Sequence, residues 1–85
     1  MLTKTVTVGS AIGLHARPAA IISEAAGELD AEVTIGVPGG DPVDAGSALL
    51  IMTLGAGYGA TVEVSSADQA ALDKIAALVE QDLDA

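Results

Sequence analysis

One histidine and one arginine occur in this 85-residue chain, and they stand two residues apart. Both lie in the stretch Gly13-Leu14-His15-Ala16-Arg17-Pro18-Ala19-Ala20. An imidazole can serve as a base, a ligand or a nucleophile. A guanidinium keeps its charge at any ordinary pH and matches the geometry of phosphate. Set just ahead of an alanine-rich segment of helical period, the pair points to anion chemistry. The first N–H groups of a helix have no partners within it. They also form the positive end of the helix dipole, worth about half a charge. An anion attached to His15 would meet the free donors of Ala16 and Arg17 and the Arg17 cation together. Pro18 has no N–H, but in a first turn that donor would be an orphan anyway.

A neutral imidazole keeps a lone pair and can attack phosphorus. The positive helix end and Arg17 disfavour a further positive charge beside them. Gly13 is expected to leave the approach to the ring uncrowded. A helix terminus contributes roughly 0.3–1 kcal/mol, and up to about 2 when partly buried. A hydrogen bond to a charged group contributes about 1.5–3 kcal/mol. Terms of this size can position a phosphoryl group without trapping it, which suits a carrier. A plainer reading, a helix-capping histidine beside a solvated arginine, fits the same residues.

The elements that must hold this site can be read from hydrophobic period. Residues 3–8 alternate, with Val6 and Val8 inward and Leu2 trailing on the same face, as in a half-buried strand. Residues 16–26 place Ala19, Ile22 and Ala26 on one helical face, with Ile21 and Ala25 beside them and Gly27 as the stop. Residues 31–37 alternate again through Val33, Ile35 and Val37. Pro38-Gly39-Gly40-Asp41-Pro42 is a turn, and the proline beside Val43 makes the next short strand an edge strand. Ser47 caps two helical turns over residues 47–54. Residues 60–65 form a fourth strand with Val62 and Val64 inward. Leu72, Ile75, Ala76, Val79 and Leu83 mark the last helix, with Ser66 and Gln69 as its capping box. The order β-α-β-β-α-β-α implies an α+β fold, an antiparallel four-stranded sheet covered on one face by three helices. The length implies a single domain over residues 1–85.

Composition excludes several classes of function. The formal charge is −9, from 12 acids against 3 bases. Such a chain does not suit a nucleic acid backbone or an anionic membrane surface. It has no cysteine, so disulfides, thiol catalysis and thiolate metal sites are ruled out. With one histidine, no metal site is expected. No run approaches the ~18 apolar residues of a membrane span, and residues 1–8 do not read as a secretory signal. A cytoplasmic protein is expected.

The run Gly13-Leu14-His15-Ala16-Arg17-Pro18-Ala19 resembles the active-site signature of the HPr family, the histidine-containing phosphocarriers of the bacterial phosphoenolpyruvate:sugar phosphotransferase system. A second stretch, residues 46–59, resembles the family as well, as do the length and the element order, so the likeness spans nearly the whole chain. It implies an open-faced β-sandwich. It further implies that His15 carries phosphate on Nδ1, taken from enzyme I and passed to the A domains of sugar-specific permeases. Arg17 would be the phosphate-side cation, and no cofactor would be needed. Such a protein is a phosphoryl carrier that forms a phosphohistidine, not a stand-alone catalyst, and it works as a monomer. Ser47 aligns with the family's regulatory serine, a target of an ATP-dependent kinase in some bacteria. Family members often carry lysines around the partner-binding face, whereas Lys4 and Lys74 are the only lysines of this chain, and Gly46 precedes the serine where many members carry a basic residue. Recognition of Ser47 by a kinase or other regulator is weakened accordingly, and the docking face becomes more apolar.

That face is expected from Ala20, Ala48, Leu49 and Met52. A two-turn helix cannot bury Leu49, Leu50, Ile51, Met52 and Leu54 at once, so part of it must face a partner. Tyr58 is expected to pack on its turn. Asp73, Glu80 and Asp82 read as a solvated helix face. Two other functions compete. An acyl-carrier-like protein is also small, acidic and cysteine-free, with a serine before an apolar helix, but the alternating valine strands oppose its helical bundle. A purely regulatory binding module would keep the fold without the transfer, and the pairing of His15 with Arg17 opposes that.

Overall fold

The computed structural model describes residues 1–83. Its elements are β1 (Leu2–Thr7), α1 (Ala16–Gly27), β2 (Val33–Gly36), β3 (Val43–Asp44), α2 (Ala48–Thr53), β4 (Thr61–Ser66) and α3 (Gln69–Glu80). The four strands form one antiparallel sheet in the order β1-β4-β2-β3. β4 therefore lies between β1 and β2, which are separated in sequence only by α1. The alternation is obeyed: Val6, Val33, Ile35, Val62 and Val64 are buried under the helices. The other face carries hydroxyls, among them a Thr3–Ser65 pair at 2.9 Å. Packing of α3 on β1 and β4, and of α1 on α2 and α3, closes the core.

The core is built without aromatic side chains. Ile22 of α1, Ile51 of α2 and Ile75 and Val79 of α3 are fully buried against the sheet valines. Ala19, Ala71 and Ala76 are buried with them, and such small side chains let α3 lie close to the strands and α1 close to α2 and α3. The short β3 is an edge strand, as the proline before it implies. The four-stranded sheet rules out the helical bundle of an acyl-carrier protein.

Three local expectations are corrected. Ser66 does not cap α3. β4 extends through Ser66, which pairs with Leu2 and Val33 and is buried. Its hydroxyl donates to the Glu32 carbonyl at 2.8 Å and accepts the Asp68 N–H at 3.2 Å. Asp68 is the N-cap instead, and its side chain makes no capping bond. Leu83 lies beyond the end of α3 but still packs on the core. Leu2, at the free end of an edge strand, is 42% exposed.

Candidate functional site

The loop between β1 and α1 is fixed at both ends by close backbone approaches. At its start, the Gly9 N–H donates to the Val79 carbonyl at 3.0 Å. A Cβ on Gly9 would lie 1.9 Å from the Glu80 carbonyl oxygen, so no side chain fits there. At its end, the Leu14 N–H donates to the Ala56 carbonyl at 2.8 Å, and the Leu14 side chain is buried. Gly13 between them has φ of +78°, and a Cβ would meet the Ala56 oxygen at 2.5 Å. Gly13 thus acts by letting two backbones touch, a different role from the cleared approach expected of it.

His15 follows the buried Leu14 and is itself exposed. It is the N-cap of α1, with φ −93° and ψ −163°. Its carbonyl accepts the Ala19 N–H at 2.9 Å, which closes the first helical turn. The imidazole makes no capping hydrogen bond, so the simple capping role does not hold. The N–H groups of Ala16 and Arg17 have no acceptor in the described residues. Arg17 is exposed and forms no ion pair there. Pro18 and Ala19 are buried and anchor the turn. Imidazole, two free amide donors and a free guanidinium therefore share one helix start, an arrangement able to hold a tetrahedral anion.

A cleft of about 270 Å³ opens beside the imidazole. Ile12, Leu14, His15, Met52, Gly55, Ala56 and Gly57 line it. Met52 of α2 is half-buried in this wall, while Leu49 is 70% exposed and Ala48 is half-buried against the core. Ala20 is exposed on α1, which packs beside α2. Ile12 and Leu50 add to the exposed apolar surface. Ile12 was not anticipated, nor were the glycine-loop residues of the cleft. An isoleucine inside a glycine-bounded turn has no core-facing period to satisfy, and that was the available signal. From Ala45 to Ala60 the chain carries no acid or base apart from the Tyr58 phenol.

Ser47 is the N-cap of α2, and its hydroxyl accepts the Leu50 N–H at 3.2 Å. Its own N–H donates to the Asp44 carbonyl at 3.1 Å. Tyr58 does not pack on its turn. The Gly57 carbonyl accepts the Ala60 N–H at 3.0 Å, and Gly59 has φ of +80°. Tyr58 thus stands at a turn corner and is 71% exposed. Asp73 meets Lys4 at 3.8 Å across solvent-exposed surface, while Glu80 and Asp82 are exposed. Among the described residues, no group of three or more His, Asp or Glu side chains could hold a metal ion, and no helix is long and apolar enough to cross a membrane.

Comparison with known proteins bears on the family and the fold. A family model described as the PTS HPr component phosphorylation site matches residues 2–81. Phosphocarrier protein HPr of Streptomyces coelicolor is 41% identical over 87 residues, covering 99% of this chain and 94% of that protein. Phosphocarrier protein NPr of Shewanella violacea is 41% identical over 86 residues, covering 98% and 93%. The crystal structure of HPr from Bacillus anthracis superposes with a TM-score of 0.84 at 33% identity, covering 92% of this chain and 95% of that one.

Proposed function

This chain belongs to the HPr family of phosphocarrier proteins of the phosphotransferase system, and we propose that His15 is its phosphoryl-accepting residue. In this reading, enzyme I, charged by phosphoenolpyruvate, is the donor and the A domains of sugar-specific permeases are the acceptors. The supporting observation is the uncapped start of α1: an exposed imidazole at the N-cap beside two amide donors that have no acceptor among the described residues.

The neutral ring attacks phosphorus, the bond between phosphorus and the donor breaks, and a phosphohistidine forms. The phosphoryl oxygens then take hydrogen bonds from the Ala16 and Arg17 amides and from the Arg17 guanidinium. Transfer onward is the same displacement, with the imidazole as leaving group. These contacts stabilise the charged group only modestly, so it can leave again. The apolar residues Ala20, Ala48, Leu49 and Met52 supply the docking face, with Ile12 beside them. Ser47 lies at the start of the same helix, and a phosphate added there by a kinase would set a charge at the edge of that face. The chain acts as one carrier unit over residues 1–85, as a monomer in the cytoplasm, without a cofactor.

The test is incubation with enzyme I and phosphoenolpyruvate, followed by intact-mass analysis and site mapping. One acid-labile phosphoryl group on His15 is expected. A label on another residue, or none with active enzyme I, overturns the assignment.

A further inference from the structure

Ser10 is one of only two buried polar or charged residues among those described, at 1% exposure, and nothing in the transfer chemistry requires a hydroxyl there. Its Oγ donates to the Gln81 carbonyl and accepts the Leu83 N–H, each at 3.2 Å. Its backbone carbonyl accepts the Gly13 N–H at 2.9 Å. Gly13 is followed at once by Leu14, whose N–H holds the Ala56 carbonyl, and then by His15. A continuous set of hydrogen bonds therefore runs from the segment after α3, through both polar ends of Ser10, into the turn that presents the imidazole. The adjacent Gly9 contact with Val79 and Glu80 lets the two backbones approach closely enough for these bonds.

We propose that Ser10 is a positioning residue for phosphoryl transfer, fastening the turn before His15 to residues 81–83. The proposal rests on His15 being the acceptor. Such a turn can be mispositioned without unfolding the core, and displacements far smaller than a residue slow transfer between closely held groups. Ser10 itself is buried, and of the turn it fastens only Ile12 borders the apolar docking face, so its loss is expected to act mainly on the transfer step.

The test uses the full chain with Ser10→Ala, Leu83→Pro, which removes the N–H that Ser10 Oγ accepts, and the double variant. Enzyme I kinetics give kcat and KM for each protein as phosphoryl acceptor, and amide hydrogen exchange is followed at Gly13 and Leu14. Ser10→Ala is expected to lower kcat by roughly three- to tenfold, the scale of one or two ordinary hydrogen bonds, with a smaller change in KM. Exchange at Gly13 should accelerate, and the double variant should lose less than the product of the single losses. A merely structural role would lower the melting temperature and leave kcat per folded molecule intact, and that result overturns the proposal. So does an unchanged Gly13 exchange rate, or fully multiplicative effects in the double variant. Failure of the parent protein to accept phosphate, with Gly13 exchange still responding to Ser10→Ala, would refute the phosphocarrier assignment and the transfer role together while leaving the fastening of the turn intact.

Discussion

Two helices begin in similar ways and end up chemically opposite. α1 starts at His15 and α2 at Ser47, and both N-cap residues have extended backbone. Ser47 turns its hydroxyl onto the Leu50 N–H and satisfies its own helix. His15 leaves the Ala16 and Arg17 donors open and its ring in solvent. The difference follows from side-chain length and shape. A serine oxygen reaches the amide two or three residues on without cost. An imidazole forms no such bond here, so the helix start keeps its electrostatic capacity for something that arrives later. One start serves stability, and the other is left free for function.

The sharpest way to break this contrast is to remove the ring. His15→Ala is expected to fold like the parent, because the residue is exposed and caps nothing. It should take up no phosphate from enzyme I. Uptake in that variant, followed by mass, would place the acceptor elsewhere.

Next in size is the cation at the open start. Arg17→Ala is expected to slow transfer by roughly ten- to a hundredfold, the range given by about 1.5–3 kcal/mol for a hydrogen bond to a charged group. Its melting temperature should stay within a degree or so of the parent, since Arg17 has no ion pair to lose among the described residues and surface substitutions are usually near neutral. Arg17→Lys should recover only part of the rate, for lack of the planar fork. A full rate in the alanine variant would remove the guanidinium from the mechanism.

The docking face between the two starts is probed by Leu49→Glu. At 70% exposure the new carboxylate stays in water, so the fold is expected to survive. A partner that must desolvate it should bind more weakly, with apparent KM raised roughly tenfold. Circular dichroism and enzyme I kinetics together check this, and an unchanged KM in the folded variant would place docking elsewhere.

The smallest effects belong to the capped start. Ser47→Ala removes the Leu50 cap and should cost about 1 kcal/mol, which is about 4–8 °C in melting temperature for a chain of this size. Transfer at His15 should be unaffected. Ser47→Asp keeps a capping oxygen, so its stability should match the parent, while a charge at the edge of the apolar face raises apparent KM. Equal KM values for Ser47→Asp and parent would restrict Ser47 to its capping role.

Much of this was legible in the chain because period and caps are local. The valine alternation of β1, β2 and β4, the helical faces of α1 and α3 and the Ser47 cap follow from neighbours a few residues apart. So does the pairing of His15 with Arg17 at a helix start. Ser66 shows where that reasoning fails. Its spacing to Gln69 mimics a capping box, but the pull of two flanking strands drew it into the sheet. Tyr58 fails in the other direction, since no local rule says whether another element covers a turn corner.

What the sequence alone determined is the inventory and local phrasing of the site: one imidazole, one guanidinium, a helix start and uncharged apolar surface at hand. What only the tertiary structure decided is how that start is held. The insertion of β4 between β1 and β2, the contact of Gly13 with Ala56, and the joining of Ser10 to Gln81 and Leu83 link residues up to 73 positions apart. Hydrogen bonds across such separations depend on where whole elements pack, and packing is a property of the assembled core, which no short window of the chain contains.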